Sequence, residues 1–589
     1  MKRSINLVNL KINKDTIKRI SNLKLSTKNL YSIGDWCELS NNFYKGKKRI
    51  KSFNFYNWDN LRKKTEDTKV ILETYEFFIS FLSKRLNKFH NKNYEERFWE
   101  IILSRWLMGY IVNLYSRWEI VRKIKLNYKI NNLITNTTKD NDFVPENTQH
   151  SHWMMQTPEN DIWNTWIFNK ILQFQHKNRI KKKYIKKIKL NKTIFKDQKF
   201  FFKSNVIYLN KRKKIFFYNL ALDKKFKFLL MKQNMFLNIF LKKEKVNLND
   251  KIDFNKRDIL LKNKETLKNQ FYKFILSDLR YSIPKIYVEN YSSLEKVYEN
   301  LNWPKKPDYI LTSYGQYYDE SFKIYCAKNI SKSKLYILQH GYGNFFADKD
   351  FYAQQLDKKI SDKFLTWGEN YKDNSVPFIY PFNDFFLNKR KSKTKKILII
   401  LYAFNEKPIH PINGFVNGEE KNLITVKSVE SLIKNSKHII KESFSAKLLS
   451  HSMVKSVENS INYKFPKMNF VNSKKPFTKI IHNYNLSIHT FLGTPFFEAM
   501  HYGFPCILIL NKKMHINFDR DFNDILKKLK NNNICFDNPK KAAEFLNLNN
   551  KKIDYWWNSL SVKKIRLKFC NIYCRNINTK KNILKSIFD

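Results

Sequence analysis

Two short stretches of this sequence combine residue types suited to a phosphorylated substrate. The first is Gln339-His340-Gly341-Tyr342-Gly343, directly after an apolar run, KLYIL (334–338). An imidazole at a strand end can take the proton of an attacking hydroxyl, or hydrogen-bond a departing phosphate. Gly341 and Gly343 would let a substrate approach the backbone. The second is NLSIHTFLGTPFFEAMHYGFPCILIL (485–510), which reads as strand, loop, helix, glycine turn and strand. Thr494 suits the N-cap and Pro495 the first helical position, while Gly503 and Pro505 end the helix. A helix start behind a buried strand gathers unpaired N–H groups at a positive dipole end, the setting in which phosphates bind. His489, Thr490, Gly493 and Thr494 crowd that mouth with donors and little bulk. Glu498 falls at the fourth helical position, one past the place of a capping-box carboxylate. Capping does not account for it, and it is placed to accept hydrogen bonds from ribose or sugar hydroxyls.

Asp319 and Glu320 form a third candidate. Carboxylates at a helix start ordinarily serve the dipole, and a general base is the alternative. Arg97, Arg105 and Arg117 lie among aromatic residues and need partners; a structural ion pair is favoured over substrate contact. Each of these features also has a plainer reading, as a turn histidine or an ordinary capped helix.

The elements that must position these residues are strands alternating with helices. From about 284 the pattern runs IYVEN (286–290), DYILTSYG (308–315), a helical SFKIYCAKN, KLYIL and KFLTWG (363–368). This argues for a parallel sheet covered on both faces, whose ligands gather at strand carboxyl ends. Pro377, Pro381 and a basic run from Lys389 to Lys396 break the pattern. It resumes with KILIILYAF (396–404), NLSIHT (485–490), CILIL (506–510) and NICF (533–536), and a single amphipathic helix is expected over Asp554 to Arg575. Upstream, LYSIGDWC (30–37) reads as the first strand. Helical spacing follows at 69–90, 95–122 and 161–174. Residues 176–275 are basic, aromatic and weakly periodic, and a partly helical insertion is expected there.

The formal net charge is +59 over 589 residues. The lysines are spread along the chain, although residues 176–190 are denser. A nucleic-acid footprint should cluster, so no specific nucleic-acid partner is expected. A weak attraction to an anionic inner-membrane surface is a by-product. Cys37, Cys326, Cys506, Cys535, Cys570 and Cys574 form no CxxC pair, so reduced thiols in a cytoplasmic protein are expected, with no metal site. Residues 1–30 lack a signal-peptide pattern, and no run of about 18 apolar residues suggests a membrane span.

Against this background the sequence resembles transferases of surface-carbohydrate (O-antigen-type) biosynthesis. The resemblance is carried by LYSIGDWC, FYNWDNLRKK (55–64), LNKFH (86–90), FWEIILSRWL (98–107), LYSRW (114–118) and DIWNTWIF (161–168). Downstream it rests on QHGYGNFF (339–346), KKISDKFLTWGE (358–369), the 485–510 stretch and DYWW (554–557). The sequence departs from that family at Asp35, at Ser104-Arg105, where Gly-Pro is usual, and at LLSHSMVKS (448–456). There Lys447, His451 and Lys455 are stand-ins for a donor-binding cation.

The resemblance implies an α/β fold of the GT-B type, a pair of Rossmann-type domains facing a cleft with a helix-rich N-terminal elaboration. Residues 1–390 would form the acceptor side, with helical insertions over about 40–280. Residues 391–550 would bind the donor, and 551–589 would pack back on the first domain. The implied function is transfer of a sugar from a nucleotide sugar to a carbohydrate or lipid-linked glycan precursor of a surface polysaccharide or lipopolysaccharide, on the cytoplasmic side, without metal or cofactor. His340, Asp319 and Glu320 are the catalytic candidates. Gln339, Gly341, Gly343, His489, Thr490, Gly493, Thr494 and Glu498 are the substrate- and donor-binding ones. The QHG stretch is also similar to polymer glycerophosphotransferases that use a CDP-alditol, and to transferases of acidic sugars such as Kdo. A non-catalytic binder of nucleic acid or an anionic polymer is the remaining alternative.

Overall fold

The computed structural model describes residues 2–25, 27–37, 50–53, 55, 58, 60–156, 161–177, 179–190, 205–209, 213–221, 235–238, 251–262, 267–341, 352–370, 373–380, 396–404, 418–449, 455–511, 514 and 518–575. Three sheets organise the chain. The first has five strands in the order β3-β2-β1-β4-β5, all parallel. They are β1 (Arg3–Asn9), β2 (Leu30–Ser32), β3 (Lys51–Ser52), β4 (Tyr128–Thr137) and β5 (Lys181–Lys187). The second has seven strands in the order β12-β11-β10-β9-β7-β6-β8. These are β6 (Asn205–Leu209), β7 (Lys213–Tyr218), β8 (Met235–Asn238), β9 (Tyr309–Thr312), β10 (Lys334–Leu338), β11 (Lys363–Thr366) and β12 (Ser375–Pro377). It is parallel from β12 to β7, and β6 joins β7 and β8 antiparallel. The third has six parallel strands in the order β15-β14-β13-β16-β17-β18. They are β13 (Ile397–Leu401), β14 (Phe444–Leu448), β15 (Asn469–Phe470), β16 (Leu486–His489), β17 (Cys506–Ile509) and β18 (Cys535–Phe536).

The α/β class with covered parallel sheets is as expected; β9, β10, β13, β16 and β17 are buried along their whole described length or nearly so. Four details differ. The elaboration at the N-terminus is built on its own sheet, and its central strand β1 precedes LYSIGDWC. Asn6 and Asn9 disguise that strand, yet both are satisfied inside. Asn9 donates to the Thr165 carbonyl and to Asn169, each at 2.9 Å, and Asn6 accepts from Asn132 at 2.9 Å. The 176–275 segment supplies strands to two sheets as well as helices. IYVEN is not a strand: Lys285–Tyr287 is a 3-10 turn leading into the Tyr291–Asn300 helix. The tail is two helices, Ile553–Asn558 and Leu560–Tyr573, broken at Ser559.

One helix ties the first two sheets together. Glu96–Asn127 is buried on nearly every side, as its continuous apolar pattern demands. It packs on the Leu61–His90 and Asp161–Gln175 helices, and also on the Glu320–Asn329 and Tyr352–Ile360 helices that flank β9 and β10. A separate apolar core surrounds the third sheet and takes in Trp367 and Tyr380 from the second. The end of the described chain threads that seam. Arg575 N donates to the Trp367 carbonyl at 2.8 Å, and Tyr380 N donates to the Arg575 carbonyl at 3.0 Å.

Candidate active site

The carboxyl end of β10 carries Gln339, His340 and Gly341. Gln339 is a staple: its side-chain oxygen accepts from Trp367 N and its carbonyl accepts from the Trp367 indole, both at 2.9 Å. Its amide nitrogen donates to the Gly341 carbonyl at 2.9 Å. These bonds fix the backbone on which His340 sits. Among the described residues, a methyl group at Gly341 would meet nothing within 4 Å.

His340 lies against the rings of Tyr314 and Tyr317, with centroids 4.7 and 5.0 Å away. Its Nδ1 is buried and has no hydrogen-bond partner among the described residues. Arg105, from the long central helix, stacks 4.0 Å from the Tyr317 centroid and hydrogen-bonds Tyr318. The Tyr317 hydroxyl donates to Asp357 at 2.7 Å, and the Gln316 amide donates to the other oxygen at 3.1 Å. Burial, with the Arg105 charge beside it, pushes His340 down to about 3. Burial pushes Asp357 up to about 6. The imidazole is therefore neutral near pH 7, the form that accepts a proton. Arg105, Tyr317 and Asp357 were not among the site residues expected from sequence. The one signal was an arginine amid aromatic residues.

Asp319 and Glu320 are engaged structurally. Asp319 caps its helix by accepting from Phe322 N at 3.1 Å, and also accepts the Tyr218 hydroxyl. Glu320 is buried, accepts from Thr148 N and Tyr287 at 2.9 Å, and pairs with Lys323 at 2.7 Å. Among the described residues, these contacts belong to the packing around the helix.

In the third sheet the Thr494–His501 helix starts one residue earlier than expected. Gly493 is the N-cap, Thr494 is the first helical residue, and no side chain caps the helix. Gly493 is needed there because a Cβ would fall 2.1 Å from the Phe491 ring. His489 is fully buried between Phe477 and Phe496, with Nε2 2.9 Å from the Ser487 hydroxyl. It is a core histidine, not part of a mouth, and burial lowers it to about 3. Thr490 is also folded inward, its hydroxyl donating to the Ile400 carbonyl at 3.1 Å. Glu498 receives no side-chain hydrogen bond among the described residues, and burial raises it to about 8. Lys447 is buried and donates to the Asn472 and Ser473 carbonyls at 3.2 and 2.8 Å. Lys455 is exposed. Tyr342, Gly343 and His451 lie outside the described residues.

Trp367 joins the two halves. It is bonded to Gln339, and its ring meets Phe497 on the Thr494 helix at 6.3 Å and Tyr380 at 4.9 Å. No hydrogen bond or ring contact among the described residues runs directly from His340 to Thr494. Beside this bridge, a cavity of about 280 Å³ lies between Glu369 and the Arg520–Asn531 helix.

A transferase profile, the LIC12162 family transferase, matches residues 15–588. The chain belongs to that family. It is also 26% identical over 256 residues to an uncharacterized protein of Plasmodium falciparum, covering 38% of this chain and 16% of that one. It thus spans well under two thirds of that relative. Among solved structures, the wall teichoic acid polymerase TagF with CDPG is 11% identical, with 50% of this chain and 82% of that one covered and a TM-score of 0.31. A pneumococcal O-GlcNAc transferase, GtfA, with UDP and GlcNAc is 11% identical (50% and 62% covered, TM-score 0.28). The spinosyn rhamnosyltransferase SpnG with its aglycone is 10% identical (48% and 72% covered, TM-score 0.26). Among the described residues no helix is long and apolar enough to cross a membrane.

The buried acids make a pH prediction. Glu369 and Glu498 are both raised to about 8 by burial. The fold therefore holds them protonated, and the stability they contribute is lost as pH rises from the ordinary glutamate range through 8. The lowered histidines, His340 and His489, act oppositely, costing stability as pH falls below 6.5. Only the acids act between 6.5 and about 8. The melting temperature should fall across that window, and Glu369→Gln with Glu498→Gln should flatten the fall. An unchanged slope in the double variant would refute the assignment.

Proposed function

We propose that this transferase moves a sugar from a nucleotide-activated donor onto a carbohydrate or lipid-linked glycan acceptor of surface polysaccharide or lipopolysaccharide synthesis. The observation that carries the reading is His340: a neutral imidazole at a strand carboxyl end, beside Arg105, with no partner for Nδ1 among the described residues. In this reading His340 takes the acceptor hydroxyl's proton as the bond to the sugar forms and the nucleotide leaves with its phosphates. The uncapped start of the Thr494 helix receives the donor phosphate, and Glu498 accepts from a sugar or ribose hydroxyl. No metal or cofactor is invoked. The reaction is placed on the cytoplasmic side, where nucleotide sugars are made available, with the excess of lysine favouring contact with an anionic membrane face.

Thermal unfolding of the full chain with CMP, CDP, UDP, GDP and dTDP tests this. A bound nucleotide stabilises by mass action, about 2.7 kcal/mol at a hundredfold excess over Kd. One nucleotide should raise the melting temperature clearly above the others. A response to CDP alone would redirect the reading to transfer from a CDP-alditol. No response to any nucleotide, combined with salt-sensitive binding to nucleic acid, would replace it with the non-catalytic alternative.

A further inference from the structure

Three arginines are buried or nearly so around the central helix, and two are saturated by the protein. Arg117 donates through all three of its guanidinium nitrogens, to Asn164, Asn113 and Ser116. Arg257 forms a two-pronged pair with Glu289 at 2.6 and 2.8 Å, and its remaining nitrogen donates to the Arg280 and Ile283 carbonyls. Arg105 is different. Among the described residues it forms no ion pair; its contacts are the stack on Tyr317 and a bond to Tyr318. The nearby carboxylate, Asp357, is taken by Tyr317 and Gln316. A guanidinium carries five donors, and the contacts that Arg105 makes among the described residues use few of them. The residue as a whole is partly exposed. It also borders His340, whose Nδ1 has no partner among the described residues.

We infer that Arg105 and His340 form a phosphate-binding subsite on the second sheet, one that receives a phosphate or diphosphate group of a substrate. This rests on the transferase reading of the His340 site and adds the anionic class of the group bound there. A planar guanidinium held flat by a tyrosine presents two parallel N–H bonds to phosphate oxygens. The same phosphate, seated beside the imidazole, would raise its basicity and improve it as a proton acceptor. With the donor phosphate on the Thr494 helix, the phosphate bound here is one carried by the acceptor; the donor's diphosphate is the other source, and would move the donor from that helix.

The test is calorimetric titration of the full chain with pyrophosphate at about 0.3 M salt, which screens the general positive field. Wild type is compared with Arg105→Gln, Arg105→Lys and Arg97→Gln. Arg97 sits on the same helix but is held by Asp362 at 3.0 Å. Arg105→Gln should bind pyrophosphate at least about tenfold more weakly, Arg105→Lys should fall between, and Arg97→Gln should match wild type. Equal affinity in Arg105→Gln, or equal loss in Arg97→Gln, overturns the subsite. Arg105→Lys keeps the charge and guards against a folding defect. Repeating the titration with saturating nucleotide separates the sources: displacement assigns the phosphate to the donor, and persistence assigns it to the acceptor. If no nucleotide binds yet pyrophosphate binding still depends on Arg105, the sugar-donor reading fails and the subsite stands. If a nucleotide binds and Arg105→Gln takes up pyrophosphate normally, the subsite alone fails.

Discussion

His340→Ala should lower turnover by about 10²–10⁴-fold while leaving nucleotide-induced stabilisation nearly intact. The split follows from where the imidazole sits. It lies on the second sheet, against Tyr314 and Tyr317, whereas the donor phosphate is assigned to the third sheet. Among the described residues its Nδ1 has no partner to lose. Removing the ring leaves a small void beside two tyrosines, and a modest loss of stability follows. Turnover is measured with the sugar derivative of whichever nucleotide gives the strongest thermal shift. A variant within about twofold of wild type would remove His340 from the chemistry. A variant that loses nucleotide stabilisation to the same degree as turnover would move it from proton transfer to donor binding.

The second large effect is expected at Gly368. Its φ is +144°, a region that residues with a Cβ rarely enter. A Cβ there would also fall 2.6 Å from the Ile572 carbonyl oxygen and 3.1 Å from the Arg575 side chain. Backbone atoms at that distance cannot rotate away, so the tail segment must move. In that segment Arg575 N donates to the Trp367 carbonyl and the Arg575 carbonyl accepts from Tyr380 N, and His501 bonds the Cys574 carbonyl at 3.0 Å. Gly368→Ala should therefore cost about 2–5 kcal/mol, combining backbone strain with overpacking, and lower the melting temperature by several degrees. Because Trp367 also anchors Gln339, activity should fall with stability. Gly341→Ala serves as the contrast, since its Cβ meets nothing within 4 Å among the described residues. Equal melting temperatures for wild type and Gly368→Ala would show that the tail does not lock the seam.

Much of the second and third sheets was legible from residue order alone. KLYIL, KILIILYAF, NLSIHT and CILIL are short apolar runs, and each is a strand within one residue of its expected limits, except that KILIILYAF runs three residues past the end of β13. The Asp319 cap was read in part, as an acidic helix start. What escaped were strands carrying polar residues. β1 hides Asn6 and Asn9, and β5 is almost all lysine with exposed side chains. Pairing with a neighbouring strand supplies their stability, and no window of adjacent residues contains that neighbour.

The candidate site divides the same way. Adjacent residues determined that Gln339-His340-Gly341 would sit at a strand's carboxyl end and that a helix would open near Thr494, since turn chemistry and apolar period are local properties. Only the tertiary structure placed Arg105 and Asp357 around the imidazole, turned His489 and Thr490 into the core, and tied up Asp319 and Glu320 in packing. Those outcomes depend on which helix crosses which sheet, and on which polar groups find partners once water is excluded. Two residues of one type in similar sequence surroundings, Arg105 and Arg117, thus end with different fates: Arg117 is saturated largely by asparagines, and Arg105 stacks on a tyrosine without an ion pair among the described residues.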